Sequence, residues 1–195
     1  MVFRTDDAFR TMYYYSTIAA WNPDMENRAG ATETDFVRTA DGRLLAMIRN
    51  ESFCPMYQAF SDDDGLTWSP TEIGTGAGVN PALVRLENGV IACSYGRPGV
   101  MVAFSETDGR SWRQRTALLL ARQEVDGTSG AVIGDLRGNQ RSCCYTDIIQ
   151  KSPNVVSVCY SAPADWSDDP RKSPWNAKDR RDFRIYTVDI QVERE

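Results

Sequence analysis

The chain has 195 residues, 42% hydrophobic and 25% charged, with a net charge of −5, a balance that suits a soluble globular protein of one domain or a little more. Its 22 Lys and Arg are scattered and the sequence pI is about 4.9, so nucleic acid is not an expected partner. There is no histidine, which removes Ser-His-Asp and Cys-His nucleophile systems and His-based zinc sites, and leaves carboxylates, tyrosine, arginine and lysine for any chemistry.

The opening stretch "MVFRTDDAFRTM" lacks an apolar core, so it is not a secretory signal as it stands, and the compartment stays unknown. No apolar run approaches the ~20 residues that a membrane span needs. Residues 1–32, with "TMYYYSTIAAW", read as the tail of a preceding repeat unit followed by a connecting loop. From there the chain repeats. "TDFVRTADGRLLAMIR" (34–49) lies over "PALVRLENGVIACSYG" (81–96) and, more loosely, over "TDIIQKSPNVVSVCYS" (146–161). Each copy has two apolar runs about a turn signal: Asp41-Gly42, Asn88-Gly89 or Pro153-Asn154. Asp-Gly and Asn-Gly predict tight two-residue hairpins of type I′, in which both central residues need φ > 0.

A second shared segment follows the first two hairpins: "YQAFSDDDGLTW" (57–68) is matched by "MVAFSETDGRSW" (101–112). Two hairpins in a unit of about 45 residues are the size of one blade of a β-propeller. The units run over about 33–72, 80–120 and 142–192, and together they form one propeller fragment. In the third unit, residues 162–176 form an insertion and "FRIYTVDIQV" (183–192) closes the sheet; a short helical turn fits only at 176–183. A β-sandwich with several hairpins stays open on periodicity alone. The five cysteines (Cys54, Cys93, Cys143, Cys144, Cys159) show no CxxC spacing, so no metal site is expected, and three of them lie in apolar stretches that suit small core residues.

"SDDDGLTW" carries Ser61, Asp63, Gly65, Thr67 and Trp68 in the Ser-x-Asp-x-Gly-x-Thr-Trp pattern of the Asp box. The second copy keeps Ser105, Gly109 and Trp112 but has Ser111 for Thr and Thr107 for Asp, with Asp108 one place later. Short polar side chains can satisfy loop N–H groups there, glycine can supply φ > 0, and tryptophan can fold back as an apolar plug. These aspartates are therefore read as turn residues, with Asp62 and Asp64 solvated.

Three further segments resemble the sialidase (neuraminidase) family in that family's order, over roughly residues 33 to 160. In "ETDFVRTADGRLLAMIRN" a glutamate precedes a hairpin ending in arginine. In "SYGRPGVMVAFSETDGRSW" an arginine stands upstream of an Asp box, and "SCCYTDII" is similar to the segment carrying the family's nucleophilic tyrosine. The resemblance implies the C-terminal portion of a six-bladed propeller, all-β, with about three blades present. It implies Tyr145 as nucleophile and Glu33 as the group that polarises it. Arg49 and Arg97 would be two of three arginines that grip a substrate carboxylate. Arg4, Arg10, Asp6, Asp7 and Asp24 match no motif of the family.

The chemistry suits those residue types. A sialic acid carries its carboxylate on the anomeric carbon, which repels an anionic nucleophile, and sialidases use tyrosine in place of a carboxylate. Such a phenol, with an ordinary pKa of ~10, needs a base within hydrogen-bond reach. The planar guanidinium fork suits a carboxylate. The implied activity is release of terminal sialic acids from glycoconjugates, without a cofactor, by a chain inactive as this isolated fragment. A non-catalytic Asp-box propeller that binds glycans or a protein is the alternative. Self-association, or blades upstream of Met1, would cover the open ends of such a fragment.

Overall fold

The computed structural model describes residues 1–20, 30–50, 54–96, 99–119, 124–125, 132–133, 145–163 and 183–194. Within them the apolar runs become strands: β1 (Val2–Arg4), β2 (Tyr13–Ser16), β3 (Thr32–Arg38), β4 (Leu44–Arg49), β5 (Pro55–Ser61), β6 (Glu72–Ala77), β7 (Val79–Arg85), β8 (Ile91–Gly96), β9 (Val100–Ser105), β10 (Arg113–Leu119), β11 (Glu124–Val125), β12 (Val132–Ile133), β13 (Thr146–Ser152), β14 (Val155–Pro163) and β15 (Phe183–Gln191). All pairings are antiparallel between sequence neighbours. They give a two-stranded sheet β1-β2, four-stranded sheets β3-β4-β5-β6 and β7-β8-β9-β10, a three-stranded sheet β13-β14-β15, and the pair β11-β12. No described residue is helical. The helical turn expected at 176–183 lies outside the described residues except for Phe183, which is in β15; the insertion lies outside them from residue 164 onward.

The β3-β4 and β7-β8 connections correct the expected turn type. Gly42 has φ +91° and Gly89 φ +89°, but neither Asp41 nor Asn88 has positive φ. Instead Gly42 N–H donates to Thr39 O (3.2 Å) and Thr39 N–H to Arg43 O (2.9 Å); Gly89 and Leu86 repeat this with Leu86 O (2.9 Å) and Val90 O (2.8 Å). That pattern is the three-residue loop with a G1 bulge, which needs one left-handed residue where type I′ needs two. The Asp41 and Asn88 side chains are free to accept N–H groups inside the loop, from Arg43 (3.4 Å) and Val90 (3.0 Å).

The two Asp-box segments fold into one turn. Ser61 Oγ accepts Gly65 N–H (2.8 Å), and Ser105 Oγ accepts Gly109 N–H (2.9 Å). Asp63 takes both the N–H and the hydroxyl of Thr67, at 2.8 and 2.6 Å. In the second copy Thr107 Oγ1 does the same work for Ser111 N–H (2.9 Å). Asp108 therefore is not the loop acceptor. It reaches out of its own blade to accept Ala40 N–H at 2.8 Å. Asp64 is likewise not merely solvated, since it pairs with Arg38 at 2.7 Å.

These turns also fasten one blade to the next. Gln58 on β5 donates to Gly109 O (3.0 Å) and accepts Trp112 Nε1–H (2.9 Å). Ser16 on β2 repeats the clasp one unit earlier, donating to Gly65 O and accepting Trp68 Nε1–H (3.2 Å). Both tryptophans are partly buried rather than enclosed. A third turn of this kind was missed by motif matching. In Thr5–Met12, Thr5 Oγ1 accepts Phe9 N–H (3.1 Å), and Asp7 accepts Thr11 N–H (2.9 Å) and hydroxyl (2.7 Å). Ala8 and Phe9 hold φ of +57° and +67°, where Asp64 and Gly65 hold +57° and +86°.

The blades pack face to face in chain order as a partial propeller. Leu45, Met47 and Met56 of the first four-stranded sheet meet Leu83, Ile91, Cys93, Tyr95 and Ala103 of the second. On that sheet's other side Val90, Ala92, Val102 and Phe104 meet Ile148, Val156, Val158 and Val192. Strands β3, β7 and β13 lie next to one another as the inner strands of the three blades.

Candidate active site

Glu33, Asn80 and Tyr145 occupy the same position of the three repeats, at the start of β3, β7 and β13. Because inner strands of successive blades run side by side, equivalent positions at their ends face a common space. Pseudo-symmetry thus brings together residues far apart in the chain. Tyr145 Oη donates to Glu33 Oε1 at 3.2 Å, across a separation of 112 positions. Asn80 N–H donates to Glu33 Oε2 at 2.9 Å, and Asn80 Nδ2 donates to Thr146 O at 3.0 Å. Thr146 is buried, and its hydroxyl meets Ser94 Oγ at 2.9 Å.

Arg49, at the end of β4, donates from Nη1 to the same Glu33 Oε1 at 2.6 Å. Strand pairing causes this, because Arg49 is the register partner of Thr32, next to Glu33 in β3. The sequence reading did not anticipate the pair. Its side chains are 16% and 23% exposed, so it is better shielded than surface pairs worth about 0–1 kcal/mol, at the cost of partial desolvation. Tyr145 is 55% exposed and open to solvent. Arg97 lies outside the described residues, as do Cys143, Cys144 and Asp24.

Glu33 has φ +42° and Asn80 φ +49°. Left-handed backbone costs a residue with a Cβ about 1–2 kcal/mol, and strain of this kind persists where surrounding contacts over-determine it. Beneath the site, Asp35 accepts Leu83 N–H (2.7 Å) from the neighbouring inner strand and Phe36 N–H (2.8 Å). Burial pushes its carboxyl above the ordinary range, against those two bonds, and the Asp147 charge adds to the rise. Burial also pushes the Cys93 thiol up, with Asp35 contributing, so this cysteine is a core residue and not a nucleophile.

A phenol aimed at a carboxylate, beside a guanidinium, can lose its proton as it attacks an electrophile, with an anion-binding group at hand. Sequence reasoning named Glu33, Arg49 and Tyr145 but missed Asn80. The available signal was its alignment with the other two.

No family model matches the chain, and no curated protein matches it either. Among solved structures, the chain is similar to a protein of unknown function from Dyadobacter fermentans DSM 18053, with 20% identity and a TM-score of 0.62 over 82% of this chain and 40% of that one. It is also similar to the α-L-arabinanase of Penicillium chrysogenum complexed with arabinobiose, with 14% identity and a TM-score of 0.50 over 83% and 46% of the two chains. The intramolecular trans-sialidase of Ruminococcus gnavus, in complex with oseltamivir carboxylate, overlaps at 19% identity and a TM-score of 0.48 over 81% and 32% of the two chains. The chain spans less than half the length of each of these proteins. The first two likenesses bear on the fold alone, and they agree with an all-β partial propeller.

Proposed function

We propose that this chain is part of a carbohydrate-active propeller of the glycoside hydrolase class, and within it a sialidase-like retaining enzyme. The observation that carries the reading is the Tyr145–Glu33 contact at 3.2 Å with Arg49 on the same carboxylate. In this reading Tyr145 Oη attacks the anomeric carbon while its proton passes to Glu33 Oε1. The leaving-group oxygen departs with a proton from a general acid other than Glu33; water then attacks the anomeric carbon, giving a proton to that group's conjugate base, while Glu33 returns the proton to the departing Tyr145 oxygen. Arg49, with Arg97, binds the substrate carboxylate. In this reading the ligand carboxylate competes with Glu33 for the Arg49 guanidinium. An acid/base carboxyl and a third arginine complete the site in this reading.

The neutral sugar in the Penicillium structure marks the nearest competing reading, a propeller acting on substrates without a carboxylate. A 2,3-difluorosialic acid inactivator separates them. The expected result is a fluorosialyl adduct on Tyr145 by mass spectrometry, absent in Tyr145→Phe. Binding of arabinobiose with no adduct and no affinity for sialic acid would replace the sialidase reading. Binding of neither sugar would leave the non-catalytic alternative.

A further inference from the structure

Asn80 touches Glu33 and the residue that follows Tyr145, and no motif singles it out. Its backbone N–H holds Glu33 Oε2 (2.9 Å), and its side-chain amide holds the carbonyl of Thr146 (3.0 Å), the residue after Tyr145. The carboxylate of a glutamate rotates broadly about its last torsion. Glu33 Oε1 already receives Arg49 and Tyr145, so a donor on Oε2 decides which way the group faces.

The residue type follows from both tasks. At φ +49° a glycine would satisfy the backbone but could not reach Thr146. Asparagine is among the few residues with a side chain that visits the left-handed region readily, and its amide supplies the second bond. Thr146 cannot move away easily, because Ser94 and Thr146 share a buried hydrogen bond at 2.9 Å.

We propose that Asn80 is the positioning residue of the site: it orients the Glu33 carboxylate through its N–H and, through its amide, holds the backbone of Thr146 that carries the neighbouring Tyr145, which keeps phenol and Oε1 within hydrogen-bond reach. This rests on reading Glu33 and Tyr145 as the reacting pair. Asn80 itself touches neither substrate nor reacting atom in this role.

The test needs no turnover. The chain is made with 3-fluorotyrosine at position 145 only, and its 19F resonance reports the hydrogen bonding of that phenol. Glu33→Ala supplies the resonance of the unpaired phenol. Asn80→Gly accepts the positive φ and therefore folds. The expected result is a displacement of at least half that seen in Glu33→Ala, with a thermal midpoint close to that of the parent. Asn80→Asp keeps the shape but replaces the donor facing Thr146 O with an acceptor, and should move the resonance as well. A resonance at the parent position in the folded variants overturns the proposal. An absent fluorosialyl adduct with a displaced resonance would instead remove the sialidase reading and leave the positioning role intact.

Discussion

Replacing Gln58 with leucine should uncouple two blades while nearly keeping the side-chain volume. Gln58 is 2% exposed. Its Nε2 donates to Glu72 Oε1 (2.9 Å) and Gly109 O (3.0 Å), and its Oε1 accepts Trp112 Nε1–H (2.9 Å). Only this orientation of the amide satisfies all three partners, because Trp112 can only donate and the other two can only accept. Leucine would strand a buried carbonyl and a partly buried indole N–H, and would free a carboxylate to find water. At about 1–3 kcal/mol for each stranded buried group, the expected loss is about 3 kcal/mol, a large part of the roughly 5–15 kcal/mol by which domains are stable. At about 2–4 °C per kcal/mol for this chain length, the midpoint should fall by roughly 6–12 °C. Urea unfolding of the parent, Gln58→Leu, Trp112→Phe and the double variant gives the cycle. A coupling of about 1 kcal/mol or more between Gln58 and Trp112 is expected. A loss below about 0.5 kcal/mol, or additive single effects, would refute the clasp as an energetic link between blades.

Gly109→Ala should destabilise by about 2 kcal/mol or more, since φ is +83° and the new Cβ would sit 2.4 Å from Leu45 Cδ2; a loss under about 1 kcal/mol in chemical denaturation would contradict the tight seat of this turn on the first blade. Phe9→Gly should do the reverse. Relief of about 1–2 kcal/mol of left-handed strain outweighs about 0.4–1 kcal/mol of added unfolded-state freedom, and a lowered thermal midpoint would count against the Thr5–Met12 turn. Asp35 ionises less readily folded than unfolded, so its contribution is most favourable below its unfolded pKa and declines as pH rises through its folded value. The stability difference between the parent and Asp35→Asn should therefore move in favour of the variant from about pH 4 to pH 7, and a pH-independent difference would oppose it.

Local turn chemistry was legible in the sequence because its hydrogen bonds close within about five residues. Ser61, Asp63, Gly65 and Thr67 announce their turn, and Gly42 and Gly89 announce hairpins. Even here the type of hairpin came from the structure, because the same Asp-Gly and Asn-Gly pairs serve a G1 bulge once the loop has three residues. The Thr5–Met12 turn was hidden because Thr5, Phe9 and Met12 stand where the motif has Ser, Gly and Trp, while its hydrogen bonds survive on Thr5, Asp7 and Thr11. Repetition set the expected extent of the units, and family resemblance pointed to Glu33, Arg49 and Tyr145.

What only the tertiary structure decided is which of these residues meet. Arg49 reaches Glu33 through the β3-β4 register, and Tyr145 reaches it across two blade interfaces. Asn80 and Gln58 carry no motif at all, and each becomes significant through partners 47 to 66 positions away. Such contacts depend on how twisted sheets stack. That geometry is set by the summed packing of Leu45, Met47, Leu83, Ile91 and Tyr95 rather than by any short stretch of chain. A pattern of residues can specify a turn by itself, but a site at the ends of three inner strands exists only once the blades are side by side.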